Sequence, residues 1–187
     1  MVGFSKSTLA IVAVLNLLTG TFAAPALAPE PIDYVSLLET APGLPTPKDL
    51  GLTNADLARP PPDIAAHQVR EILNKRYNPV CWPGQPQCDL TDANACWVYL
   101  NSLGGTRCVV SPGTSYIRMC AIGNCGWYGR AEIVRNGASS TCADVARGGR
   151  WVLGNCRKGA SGLVAGSNAA YGNGNHLVDV VGRGRYD

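Results

Sequence analysis

The stretch RMCAIGNCGWY, residues 118–128, decides the fold of this 187-residue chain. Residues 122–125, with Gly123 and Asn124 at their centre, turn the chain between two apolar runs. The pattern predicts a strand over residues 116–121 and a second strand over residues 126–135. The centre of the domain is therefore a β-hairpin.

One helix is predicted on each side of this hairpin. The first covers residues 92–103 and stops at Gly104-Gly105. The second runs from a serine or threonine cap within residues 139–141 toward Leu153. Gly148-Gly149 lies inside it, so the helix either breaks there or uses the glycines for close packing.

Further strands complete the pattern. A strand is predicted over residues 106–110, and the last strand covers residues 176–181 after a glycine-rich turn at 168–175. Gly172 and Gly174 in that turn do not form a phosphate loop, because no helix follows them. The element order predicts an α+β fold, an antiparallel sheet with two helices on one face.

The cysteines indicate disulfide bonds. An even number in a small exported domain favours four bridges, whereas a zinc site is excluded by the absence of a C-x2-C pair and the scarcity of histidine. Eight cysteines allow 105 pairings, so the connectivity stays open. The cysteines are Cys81, Cys88, Cys96, Cys108, Cys120, Cys125, Cys142 and Cys156. We expect a disulfide-stapled domain with no metal and no cofactor.

The N-terminal residues 1–23 have the pattern of a secretory signal peptide. Lys6 is followed by an apolar run over residues 8–18, and small residues precede a cleavage site after Ala23. The apolar run is too short to span a membrane in the mature protein, although a retained N-terminal anchor is the alternative. The pattern predicts an exported protein.

Residues 24–76 differ in composition from the rest. They hold nine of the 13 prolines and no cysteine, so long helices and strands are not expected, apart from a short helix over residues 63–73. The segment ends at the dibasic pair Lys75-Arg76, which indicates kexin-type processing. The segment is therefore predicted to be a removable propeptide or, alternatively, a retained disordered arm.

Residues 77–187 form the cysteine-rich domain, which is basic. Ten basic residues, nine of them arginine, face six acidic ones, a net charge of +4. Arginine binds carboxylates, phosphates and acidic glycans well, although a basic surface that serves only solubility is the alternative. At least one of Trp127 and Tyr128 is expected in the core. The candidate binding residues are Arg118, Arg130, Arg135, Arg183 and Arg185.

The cysteine-rich domain has few residues that could act in catalysis. His176 and Asp179 are three apart on a predicted strand, so they point to opposite faces and cannot form a dyad. A small ribonuclease could combine Glu132, His176 and Arg118, but the domain lacks a second obvious acid or base. We predict that the protein is not an enzyme.

The residues of the hairpin, the helix end Leu153-Gly154-Asn155-Cys156 and the run 172–181 together carry a family resemblance. In cysteine layout and element order, residues 81–181 resemble the small fungal killer toxins first known from virus-infected smut fungi. The resemblance implies a secreted toxin that interferes with calcium channels or calcium uptake through a basic residue on the sheet. The matching position is Arg118.

The chain departs from that family at one edge. Arg157 follows Cys156 where family members carry a further cysteine, and no cysteine follows Gly159, so one bridge must differ. A weaker resemblance is to secreted necrosis-inducing cysteine-rich effectors of fungi. Both relatives are secreted proteins that act on other cells.

The sequence leaves three functions open. The leading expectation is an extracellular, killer-toxin-like protein whose partner is a membrane protein, a wall component or a host protein. The second is a non-toxic effector that binds an acidic glycan or a host protein. The third is a small secreted ribonuclease or hydrolase. Neither nucleic-acid binding nor stable membrane insertion is expected.

Overall fold

The computed structural model describes residues 32–60 and 77–186. Both stretches belong to one compact unit of the chain. The predicted signal peptide with its cleavage site at Ala23, the predicted helix over residues 63–73 and the dibasic pair Lys75-Arg76 lie outside the described residues.

The described residues form strands of two to ten residues, two long helices and two one-turn helices. In chain order the elements are α1 (Tyr34–Leu37), β1 (Glu39–Thr40), α2 (Asn54–Leu57), β2 (Val80–Cys81), β3 (Cys88–Asp89), α3 (Leu90–Ser102), β4 (Arg107–Val110), β5 (Ile117–Ile122), β6 (Cys125–Ala131), a 3-10 turn (Val134–Asn136), β7 (Ala138–Thr141), α4 (Cys142–Asn155), a 3-10 turn (Gly159–Ser161), β8 (Leu163–Val164), β9 (Gly166–Ala170) and β10 (Asn173–Gly182).

Six strands form the main sheet, in the order β1-β5-β6-β10-β9-β2, and every neighbouring pair is antiparallel. Two small antiparallel pairs, β3 with β8 and β4 with β7, flank it. Helices α3 and α4 pack on one face, where a disulfide joins Cys96 of α3 to Cys120 of β5 and Gly149 of α4 lies on the ring of Trp127. The predicted α+β fold is confirmed.

The central hairpin forms as the sequence predicts. Strands β5 and β6 pair with Ile122 opposite Cys125, which leaves Gly123-Asn124 as a two-residue turn. Gly123 has φ +51°, and a Cβ atom there would lie 2.0 Å from an Asp92 carboxylate oxygen. The turn therefore requires glycine for its backbone angle and for space.

The two helices follow their predicted patterns. Helix α3 is followed by Gly104 with φ +55°, close to the predicted stop. Helix α4 begins after Thr141, whose Oγ1 accepts a hydrogen bond from the Asp144 N–H at 3.1 Å. Gly148-Gly149 does not break α4. A Cβ on Gly148 would lie 2.3 Å from the Ala169 carbonyl oxygen, so the glycines allow close packing on the sheet.

Two strand predictions need correction. The strand predicted over residues 126–135 ends at Ala131 and gives way to the 3-10 turn Val134–Asn136. The region predicted as a glycine-rich turn, residues 168–175, contains most of strand β9, and only Tyr171-Gly172 turn. The small residues of β9 look like loop composition, but they are what lets this strand approach α4 closely.

All eight cysteines are paired, as predicted. The four disulfides are Cys81–Cys156, Cys88–Cys125, Cys96–Cys120 and Cys108–Cys142. They tie both long helices and the sheet into one covalent framework.

Residues 32–60, which we call the arm, are folded onto this framework. The arm supplies α1, β1 and α2, and β1 pairs with β5 at the edge of the main sheet. Tyr34, Leu38 and Leu57 are buried in the same apolar cluster as residues of α3. A disordered arm is therefore the wrong description of residues 32–60, because three apolar anchors and a paired strand hold them. Whether the segment is removed as a propeptide stays a prediction.

Candidate functional site

A cluster of four charged side chains lies where the arm meets the sheet. Glu39 accepts from Arg118 at 3.0 Å and from Arg183 at 2.7 Å, one carboxylate oxygen for each guanidinium. Asp92 is the fourth member, because its Oδ2 accepts from the N–H of Asn124, the residue whose carbonyl accepts from the Arg183 N–H. We call these residues the Glu39 cluster: Glu39, Asp92, Arg118 and Arg183.

Local structure places each member. Glu39 stands opposite Ala121 in the pairing of β1 with β5, and Arg118 lies near the start of β5. Arg183 directly follows β10, and its N–H donates to the Asn124 carbonyl at 2.8 Å, which ties it to the hairpin turn. The cluster is therefore assembled by the central hairpin, the last strand and the arm.

The electrostatics depend on the arm. Burial raises the pKa of Asp92, while the Asn124 N–H, which donates to its Oδ2 at 3.2 Å, and the charge of Arg183 act in the opposite direction. With both carboxylates ionised, two arginines balance two acids. The nearby charge of Asp89 also raises the pKa of Asp92. Without Glu39, Arg118 and Arg183 would lose the carboxylate with which both of them pair.

Apolar side chains of the arm continue the contact over α3. Leu57 and Tyr34 are 0% and 5% exposed, in one cluster with Tyr99 and Leu100 of α3. Full burial of one such side chain stabilises a packed state by about 1.5–3 kcal/mol. Apolar contact is therefore the largest source of the arm's attachment.

Two polar side chains of α3 also bind the arm through its backbone. The Tyr99 hydroxyl donates to the Pro45 carbonyl at 2.7 Å, and the Asn94 side-chain amide donates to the Arg59 carbonyl. Burial raises the pKa of Tyr99 to about 12. Because the arm contains many prolines, its carbonyls have few backbone donors nearby, and α3 provides them.

Arg118 and Arg183 are the two predicted binding residues that the structure brings together. Arg130 has a structural role instead: it pairs with Asp179, which is fully buried and also accepts hydrogen bonds from Ser167 and Tyr186, each at 2.6 Å. A buried carboxylate needs such partners, so Arg130 stabilises the fold here, and its use in binding stays a prediction.

Arg185 and Arg135 have surroundings different from those of Arg118 and Arg183. The Arg185 guanidinium stacks 4.0 Å from the centre of the Trp82 ring and 5.3 Å from that of Tyr186. Arg135 is exposed on the 3-10 turn after β6. Arg185 therefore covers aromatic side chains, and Arg135 is a solvent-facing cation.

The aromatic prediction is confirmed, since both Trp127 and Tyr128 are fully buried. Trp127 packs under α4, whereas Tyr128 packs on the other face of the sheet against Tyr116 and Tyr186, at centroid distances of 6.0 and 4.8 Å. Neither side chain extends a binding surface.

The structure disfavours His176 as a catalytic residue. Its side chain is fully buried, its ring lies over Gly129 beside Met119 and Val110, and neither ring nitrogen has a hydrogen-bond partner among the described residues. Burial, with a contribution from Arg107, lowers its pKa from 6.5 to about 4. As predicted, Asp179 lies on the opposite face of the strand, within a separate cluster of side chains.

Sequence reasoning missed Glu39 and Asp92. Both are ordinary acidic residues in sequence, and no local motif marks them. Their role appears only when the arm pairs with β5 and the hairpin turn meets the first turn of α3.

Two other kinds of site are absent from the part of the chain that the structure describes. Within it, no three or more histidine, cysteine and acidic side chains cluster as metal ligands. Within the same residues, no helix is long and apolar enough to cross a membrane.

The fold and the site define a class: a small α+β domain, stapled by four disulfides, whose basic sheet edge is covered by a cysteine-free arm. The chain belongs to the family described as Domain of unknown function (DUF8794), whose model matches residues 78–182. The match covers the disulfide-bonded domain and does not include the arm. No curated protein and no solved structure matches the chain.

Proposed function

We propose that this protein is a secreted, killer-toxin-like protein that acts on other cells by docking a basic surface onto a target-cell protein. Arg118 and Arg183 are the contact residues. The signal-like N-terminus and four disulfides support export, because disulfides persist in oxidising compartments. The proposal includes interference with calcium channels or uptake, as the family resemblance implies.

One observation carries the proposal: Arg118 on β5 and Arg183, directly after β10, converge on a single carboxylate. An arginine fork binds carboxylates with defined geometry, so the pair is already arranged for an acidic group on a partner. Arg118 is also the position that the killer-toxin resemblance selects.

The framework around the pair supports binding without catalysis. The Cys96–Cys120 bridge anchors β5 two residues from Arg118, and Cys88–Cys125 anchors the strand next to the hairpin turn. A surface held this rigidly loses little conformational entropy on binding. Docking, rather than chemistry, is what such a surface does well.

The experiment is a growth assay with protein secreted from the full-length gene, with intact mass defining the mature species. Fungal and plant cells receive the wild-type, Arg118→Ala or Arg135→Ala protein, with and without added calcium. We expect calcium-relieved growth inhibition by the wild-type and Arg135→Ala proteins, and at least tenfold lower potency for Arg118→Ala. Full potency of Arg118→Ala would remove the assigned contact.

The other functions give different results in the same preparation. Inactive protein that binds heparin or a wall polysaccharide favours the non-toxic effector. RNA cleavage that His176→Ala abolishes favours the ribonuclease, against the burial of that histidine.

A further inference from the structure

The arm attaches to the domain entirely without covalent bonds other than the chain itself. It contains no cysteine, whereas every cysteine of the domain is engaged in a bridge within residues 81–156. It also lies outside the family match, which starts at residue 78. The arm is thus an addition to the domain that cutting within residues 61–76 would make separable.

The arm binds as an added strand. Glu39 and Thr40 pair antiparallel with Ala121 and Cys120, and the Ala41 N–H donates to the Met119 carbonyl at 3.2 Å. Because β1 is the outermost strand on this side, β5 becomes the sheet edge when the arm leaves. An open edge strand next to a charged cluster is a template for an extended peptide.

Side chains of the arm add selectivity to this pairing. The Glu39 carboxylate sits between Arg118 and Arg183, so the added strand carries a negative charge at one defined position. Leu38 and Leu57 supply buried apolar contacts on the same face of the domain as α3. Backbone pairing, one acid and apolar anchors together describe the ligand chemistry of the surface.

We infer that this surface is a strand-addition docking site for an extended acidic segment of a partner protein, and that the arm is its built-in competitor. The inference rests on the proposed function for the location of the partner on another cell. The full chain is then latent, and cutting at Lys75-Arg76 changes the arm from a tethered to a dissociable ligand. A tethered competitor acts at an effective concentration near the millimolar range, and a free one does not.

A protein segment fits better than an acidic glycan. Only a peptide supplies the amides that pair with β5, and the buried positions of Leu38 and Leu57 require apolar groups that a polysaccharide lacks. A glycan would engage the two arginines alone.

The test uses the full secreted chain with the arm opened by Leu38→Asp and Leu57→Asp together. The probe is a fluorescent synthetic peptide of residues 32–60, followed by anisotropy. We expect the opened chain to bind the peptide at least about 100-fold more tightly than the wild-type chain, whose own arm occupies the site. Absence of binding to the opened chain, with native disulfides verified by mass mapping, would overturn the inference.

Matched variants test the contacts. In the opened chain, Arg118→Gln should weaken peptide binding about fivefold, since partly exposed ion pairs contribute modestly, while Arg135→Gln should leave it unchanged. A Glu39→Lys peptide should bind at least about tenfold more weakly. Equal binding of the two peptides, or binding of heparin without binding of peptide, contradicts the inference.

A second preparation guards against misfolding of the opened chain. The wild-type chain is cut with a kexin-type protease, and exchange of its arm for the labelled peptide is followed by native mass spectrometry. We expect exchange after the cut and none before it. Failure to exchange at any peptide concentration overturns the competitor role.

The two proposals fail separately. If the protein binds the peptide but harms no cell type, the docking site is supported and the toxin function is contradicted. Growth inhibition that excess peptide 32–60 does not antagonise would keep the toxin function and remove the docking site.

Discussion

The domain of residues 77–186 and the arm of residues 32–60 both bury apolar side chains, but they are held by different means. Four disulfides fix the domain, and both long helices take part in them. The arm is held by a two-residue strand, a few apolar anchors and the Glu39 cluster. The domain is therefore rigid, whereas the arm is held by contacts that can be released.

This difference between domain and arm fits a docking protein whose binding surface must keep its shape while the arm dissociates. A covalent bridge contributes roughly 2–4 kcal/mol whatever the state of the arm. The arm's contacts contribute only while it is bound. Substitutions in the domain should therefore change the free energy of unfolding of the whole domain, whereas substitutions in the arm should change only its docking.

The largest effect is expected from Cys96→Ala combined with Cys120→Ala. Loss of this bridge should lower the free energy of unfolding by about 3 kcal/mol, measured by urea denaturation with tryptophan fluorescence. Because Cys120 lies opposite Thr40, amide exchange at Ala41 should also accelerate. Cys81→Ala with Cys156→Ala is the control: stability falls, but exchange at Ala41 stays slow. Equal effects of both variants on Ala41 would contradict the assigned contact.

His176 should make the domain sensitive to acid. Its pKa is lowered from 6.5 to about 4 by burial, so the neutral ring stabilises the fold above pH 6.5 and this stability is lost as pH falls through about 4. The loss amounts to roughly 3 kcal/mol. Since neither ring nitrogen is bonded among the described residues, His176→Leu should flatten the pH profile and fold normally. An unchanged profile would show that other groups cause the acid sensitivity.

In the arm, Leu57→Ala should detach the arm from the domain without unfolding the domain. Removing this fully buried side chain weakens arm docking by about 2 kcal/mol, while the urea midpoint of the domain stays within error. The Tyr99 pKa, about 12 with the arm docked, should move down toward 10 in a spectroscopic titration. Leu37→Ala, a change at a side chain that is 57% exposed, should alter neither quantity. A fall of the domain's stability would show that the arm is part of its core.

The smallest effect is expected from Glu39→Gln. The side chains of Arg118, Arg183 and Glu39 are 41%, 29% and 45% exposed, so solvent screens the ion pairs, and arm docking should weaken by about 1 kcal/mol or less. Amide exchange at Ala41 measures the change, with Glu132→Gln as the control. Identical amide exchange at Ala41 in both variants would show that the Glu39 charge does not contribute to arm docking.

Most of the domain could be predicted from the sequence because its signals are local. The hairpin turn, the stop at Gly104, the cap at Thr141 and the buried Trp127 each depend on neighbouring residues. Strand β9 escaped prediction because its small residues serve packing against α4, a contact that no local pattern records.

The candidate site could be predicted only in part. Arg118 and Arg183 were among the predicted arginines, but sequence could not separate them from Arg130, whose partner Asp179 is a distant residue on another strand. Glu39 was hidden in a proline-rich segment that composition describes as disordered. Its pairing with β5 depends on tertiary contacts of Leu38 and Leu57, which composition cannot reveal.

Native mass spectrometry of the cut chain shows whether a releasable arm fills the arginine-bearing edge of the covalently fixed domain. The full secreted chain is treated with a kexin-type protease, and a Lys75→Ala, Arg76→Ala variant serves as the uncut control. We expect a noncovalent complex of arm and domain that separates under denaturing, non-reducing conditions and upon addition of excess peptide 32–60. A fragment that is already lost at micromolar concentration in native buffer would contradict it.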